Sequence, residues 1–254
     1  MTVRFCGSIV VTAAIAALLL APPSAIGQSI PRLPDGKPDF SGVWDRPRVG
    51  DVTRNGNACG AGSEGCKQEG TGELPYAPGG LEKWNGKRVD WTAYCLPWGY
   101  SRSWQTEYPV EIVHTPKRFA VLFESNNIFH LVDMNGEHPK DLQPSFLGHS
   151  TGKWEGDTLV IDTIGFNGIT YLDTAEHPLS DQMHMVERLR YIDANHVSYE
   201  VTWTDPKSYT RPIKNNRVFV RMQPGKDRLM EYWCMENNKD LLDGRLPPFP
   251  GLEP

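Results

Sequence analysis

His149, Asp157, Asp162, His184 and Glu187 lie close together in the chain, on segments that are otherwise apolar or turn-like. An acid among apolar neighbours finds hydrogen-bond partners or changes its pKa, and an imidazole near it supplies the other half of an acid–base pair. Read as a strand, Thr158 to Ile164 places Asp162 on the face of Val160 and Ile164. Met183 to Tyr191 places Glu187 with Met183, Met185, Leu189 and Tyr191, and His184 on the other face with Val186 and Arg188. The chemistry this predicts is metal-independent acid–base catalysis. His184 or His149 is the base, Glu187 or Asp162 the acid or orienting partner, and Arg188 steadies a developing anion. The competing reading is structural, with Glu187 paired to Arg188 or Arg217 and Asp162 capping a turn.

Other chemistries find weaker support. The histidines show no HExxH or HxH spacing, so neither a metal nor a cofactor is expected, although ligands from separate strands can converge. Gly148-His-Ser150-Thr-Gly152 imitates a nucleophile elbow, but that motif works on a strand-turn-helix, whereas a hairpin follows here. His196 reads as solvated. Trp91, Tyr94, Trp98, Tyr100, Trp104 and Tyr108 form an aromatic run. Trp98, Tyr100 and Trp104, with Tyr191 and Trp203, are the expected contacts for an apolar, aromatic or sugar-like ligand. The alternative is that these rings cover one end of the fold.

The elements that position these residues are strands. Val110–His114, Arg118–Glu124 and Asn127–Asp133 are β-rich and separated by turns. Glu155-Gly156-Asp157 marks a tight hairpin. Met183–Tyr191 pairs with the cleanly alternating His196–Thr204, and Arg217–Met222 with Leu229–Cys234 ends the sheet. Phe40–Trp44 adds an edge or closing strand, and Gly79–Trp91 one short helix. The fold class predicted is all-β: an antiparallel up-and-down barrel of lipocalin or calycin type behind a long N-terminal loop region. A two-sheet sandwich is the rival.

Residues 1–27 read as a signal peptide: Arg4, an apolar run from Ile9 to Ala21, then Ser24, Ala25 and Gly27. The run is short for a membrane span, and Cys6 does not read as a lipid anchor. Residues 28–108 form an extension on the barrel and 109–254 the barrel core. A net charge of −5 with no basic block argues against nucleic acid. Cys59, Cys66, Cys95 and Cys234 remain after cleavage, an even number suited to disulfides in an exported chain. Of three connectivities, Cys59–Cys66 with Cys95–Cys234 is preferred.

Asp35-Gly-Lys-Pro-Asp-Phe-Ser-Gly-Val-Trp44, Cys95-Leu-Pro with Gly99, Gly148 to Asn167, His184 ahead of Glu187-Arg188, Asp205-Pro206 with Tyr209 to Pro212, and Glu231 to Asn238 together resemble a family of exported bacterial proteins. Its mark is GHSxGxWEGDTLVxDTxGFN. The resemblance spans nearly all of the mature chain and implies fold and export but no reaction. Two departures are Ser101-Arg102, where Pro-Arg is usual, and Met235, where a His often follows the last cysteine. The reading favoured is a periplasmic or secreted acid–base enzyme, a lyase, isomerase, hydratase or hydrolase, acting on a small cyclic or apolar molecule. A lipocalin-like carrier without turnover is the alternative, and an envelope interaction protein a third.

Overall fold

Successive side chains of a strand point to opposite faces, so burial with a period of two marks a wall packed on one side. The computed structural model describes residues 29–46, 50–53, 73–85, 90–106, 108–223, 225, 227–236 and 238–246. Within them lie β1 (Gly42–Asp45), β2 (Val110–Thr115), β3 (Arg118–Phe123), β4 (Ile128–Met134), β5 (His149–Glu155), β6 (Thr158–Ile164), β7 (His184–Asp193), β8 (His196–Thr204) and β9 (Ile213–Arg221). Each pairs with the next, and β1 also pairs with β9, Trp44 opposite Arg221, so the sheet closes into a barrel. The rival sandwich is thereby set aside.

One seam runs against the antiparallel expectation. β4 and β5 are parallel, with Val132 opposite Ser150 and Met134 opposite Gly152. Parallel neighbours require the chain to travel back along the sheet before the second strand starts. The Asn135-Gly136 turn begins that return, and the crossover that follows carries His138 over the outward face of β5 and β6. The β5–β6 hairpin has the two-residue loop foreseen: Glu155 pairs with Thr158, and Gly156 takes φ 62°.

Inward positions fill the barrel. Val121, Ile161, Met185, Leu189, Trp203 and Phe219 are all fully buried. Helix α1 (Gly80–Asn85) falls where a helix was expected. Two further short helices, α2 (Tyr100–Trp104) and α3 (Lys239–Leu242), carry too few residues to show a helical period in the sequence. Every α2 residue is buried, and Trp104 stacks on Phe219 at 5.5 Å and meets Phe123 edge-on at 5.1 Å. Buried Arg46 donates to the carbonyls of Ser103 and Tyr108, and buried Arg217 to that of Trp104, satisfying main-chain oxygens around the end of α2. Burial lowers these guanidinium pKa values to about 9 and about 10, so both stay charged at neutral pH.

Among the described residues the ninth strand is the last. Leu229–Cys234, expected to finish the sheet, is irregular, because β1 already occupies the free edge of β9. Cys95 and Cys234 are joined as predicted, with Cα atoms 5.5 Å apart. The disulfide therefore anchors the segment after the barrel, rather than a strand, to the 3-10 turn Trp91–Tyr94. The expected leader and the expected Cys59–Cys66 bond lie outside the described residues. Among the described residues, no helix is long and apolar enough to cross a membrane.

Candidate active site

Asp162 sits on the outward face of β6, opposite Thr151 of β5 and Val186 of β7. That register puts His149 and His184 one step away on the diagonals, within reach of long side chains. His149 starts its strand beside Ile164 because Gly148, at φ 70°, comes so near that a Cβ there would lie 2.6 Å from the Ile164 carbonyl oxygen. The crossover supplies His138. The result is a chain of contacts: His184 Nε2 to Asp162 Oδ2 at 2.7 Å, Asp162 Oδ1 to His138 Nε2 at 2.9 Å, and His138 Nδ1 to His149 Nδ1 at 2.9 Å. His149 Nε2 then lies 3.6 Å from Asp133 Oδ2.

The order of donors follows from the carboxylate, which only accepts. Asp162 takes the Nε2–H of His138, which leaves Nδ1 of a neutral His138 as an acceptor. When His149 is neutral as well, it donates to that nitrogen from Nδ1 and keeps its lone pair on Nε2. The imidazole nitrogens are thus strung in a line and do not converge on a point, the arrangement of a proton relay rather than of metal coordination. The hydrogen bond that His184 donates to Asp162 raises the His184 pKa against the opposing effect of burial. The same bond, helped by His138, lowers that of Asp162. All three imidazoles are partly open to solvent.

His149 and Asp133 stand at the edge of a groove of about 510 Å³ walled by Phe129, Leu131, Phe146 and Leu147. Phe129 and Leu131 are 62% and 48% exposed, an apolar surface in the same groove as His149. A planar or cyclic apolar molecule suits such walls.

The structure separates the residues that sequence grouped together. His184 and Glu187 are an odd number of positions apart, so Glu187 points into the barrel, where it is fully buried, and not towards His184, His149 or Asp162. There it accepts from Tyr199 at 2.9 Å. Burial pushes its pKa up to about 8, against the downward pull of Tyr199, Tyr100 and Arg217. Arg188 shares the outward face with His184 but pairs with Glu155 at 2.7 Å. Asp157 pairs with Arg32 at 2.9 Å, clasping the N-terminal segment to the hairpin. Ser150 points inward, bonded at 2.5 Å both to Thr163 and to His130, and so offers no exposed nucleophile. Burial lowers the His130 pKa to about 3.

Nor do the five predicted ligand-contacting rings line one cavity. Tyr100, Trp104 and Trp203 are fully buried in the core. Tyr191 stacks on Phe40 at 5.0 Å and donates to the Asp39 carbonyl. Trp98 is outside the barrel, near Tyr108 and Tyr232. Sequence reasoning missed His138 and Asp133 as members of the site. His138 belongs to a segment with no period, and only the Asn135-Gly136 turn before it hinted at a crossover.

Fold and site together define a closed nine-strand barrel bearing a histidine–carboxylate relay on its outer wall. No protein-family profile matches the chain, and no curated protein matches it.

Proposed function

We propose that the protein is an exported acid–base enzyme acting on a small apolar or cyclic molecule held in the groove beside His149. The observation that carries this reading is the relay, which leaves a lone pair on Nε2 of His149 next to an apolar wall. On taking a proton from a substrate C–H or O–H, His149 passes its Nδ1 proton to His138, and His138 passes its own towards Asp162. Asp133 faces the Nε2–H that His149 then carries, and reversal returns the proton, as isomerisation, elimination or hydration requires. The leader-like N-terminus and the Cys95–Cys234 bond support export to an oxidising compartment.

Hydrogen–deuterium exchange at the α-carbons of cyclohexanone and tetralone, followed by NMR in deuterated buffer, tests for the base. Wild type should accelerate exchange, and His149→Ala should lower the rate by roughly 10²–10⁴-fold. The exposed Phe129 and Leu131 favour a second reading, a carrier using the outer groove rather than the filled barrel interior. Tight binding of these ketones with no exchange by wild type would establish the carrier instead.

A further inference from the structure

A second polar constellation lies between β6 and β7 and shares no residue with the relay or its groove. Asp173 and His177 face each other across a turn closed by the Leu172 N–H to His177 carbonyl bond at 2.9 Å, with Glu176 in left-handed backbone at φ 63°. Both side chains are buried, 0% and 1% exposed for the two residues. Asp173 Oδ2 accepts from the Val52 N–H at 2.8 Å and lies 2.7 Å from His177 Nδ1, and its Oδ1 accepts from the His177 N–H at 3.2 Å.

That arrangement decides the tautomer. The carboxylate holds the proton on Nδ1, so Nε2 of the neutral ring is an acceptor. Among the described residues, none hydrogen-bonds Nε2. The ring stacks on Trp84 at 4.7 Å, and Trp84 is itself fixed by its Nε1–H bond to the Ala175 carbonyl at 3.0 Å. His177 and Trp84 form part of the wall of a pocket of about 390 Å³, completed by Thr53, Glu73, Leu74, Tyr76 and Leu81.

The chemistry of the walls selects the ligand. Flat and aliphatic surfaces favour a ring, and the lone pair on Nε2 asks for an O–H or N–H donor. Glu73 in the wall, with Asp51 and Asp173 near His177, opposes an anion. Ligating atoms of Asp51, Asp173 and His177 lie within 4.8 Å of one another. Yet both Asp173 oxygens accept from neighbouring donors, and Asp51 Oδ1 takes the Thr53 N–H and hydroxyl at 2.9 and 2.5 Å. These oxygens are turned to donors of the fold and not around a common cation.

We propose that this pocket binds a neutral phenolic ring, seated against Leu74, Leu81 and Trp84, which donates its hydroxyl hydrogen to Nε2 of His177. The test uses the full oxidised chain, labelled with ¹⁵N-histidine, titrated with 4-methylphenol, 4-methylanisole and 4-methylbenzoate. The phenol should move the Nε2 resonance of His177 and bind about tenfold tighter than the anisole, which lacks only the donor. The benzoate should not bind. His177→Phe, which keeps a ring against Trp84, should erase the preference for phenol over anisole. Absence of phenol binding, equal affinity for phenol and anisole, preferred binding of the benzoate, or an intact preference in His177→Phe overturns the proposal. Should the variant fail to fold, the wild-type Nε2 shift decides alone, by moving with the phenol and not with the anisole.

Discussion

Replacing Glu187 with Gln should flatten a fall in stability that wild type suffers between mildly acidic and alkaline pH. Glu187 is fully buried, its Oε2 has no hydrogen-bond partner, and burial raises its pKa from 4.5 to about 8. In the unfolded chain the proton leaves near 4.5, whereas in the folded protein it stays until near 8. Stability is therefore undiminished below the lower value, falls as pH rises between the two, and levels off above the upper. Each pH unit in that window corresponds to about 1.4 kcal/mol, so the window holds on the order of 3–5 kcal/mol once relaxation of the interior is allowed for. In a domain of this size that is on the order of 10 °C in Tm. Gln is neutral throughout, so the variant lacks the slope. Thermal melts of both proteins from pH 5 to about pH 9 check this, read as the difference between them so that other groups cancel. The variant should gain on wild type by several kcal/mol across the range. Parallel profiles would refute the reasoning and show Glu187 ionised in the folded protein, its charge matched by Arg217.

Asp162→Asn should lower the His184 titration towards an ordinary histidine, as followed by NMR, because the hydrogen bond that His184 donates to Asp162 is the main cause of its elevation. The ion pair contributes stability only between two limits: it is lost as pH falls through the depressed Asp162 pKa and as pH rises through the elevated His184 pKa. Gly148→Ala places a Cβ 2.6 Å from the Ile164 carbonyl oxygen at positive φ. It should cost on the order of 1–3 kcal/mol in urea melts and displace His149. Reduction of Cys95–Cys234, which closes a loop with a sequence separation of 139, should lower stability by about 4–5 kcal/mol, with the free thiols counted by mass mapping.

The walls of the barrel were legible because alternation in segments such as His196–Thr204 reports the packed face directly. The inward course of Glu187 was legible too, since it shares a face with Met185 and Leu189. Alternation does not say which other strand brings its residues alongside. Asp162, His149 and His184 meet only through the β5–β6–β7 register, and His138 reaches them from a crossover with no period at all. The same limit applies to Leu229–Cys234, whose strand-like composition carries no sign that β1 has already taken the last free edge. His177 passed unnoticed because its partner, Asp173, and its neighbour, Trp84, come from a turn and a distant short helix.

The pairing of β1 with β9 has a consequence for how the chain reaches this state. β2–β3–β4 and β5 through β9 are meanders in which each strand pairs with its neighbour in sequence, so little loop entropy opposes their pairing. Joining the two meanders at the parallel seam still leaves β2 and β9 as open edges, since the strand that fills both gaps lies far upstream in the sequence. Without β1, and with no Trp44 opposite Arg221, the barrel would present two strips of unpaired backbone, each able to recruit another copy. The N-terminal strand is thus the bolt of the barrel, covering with four residues both edges that the other eight strands leave open.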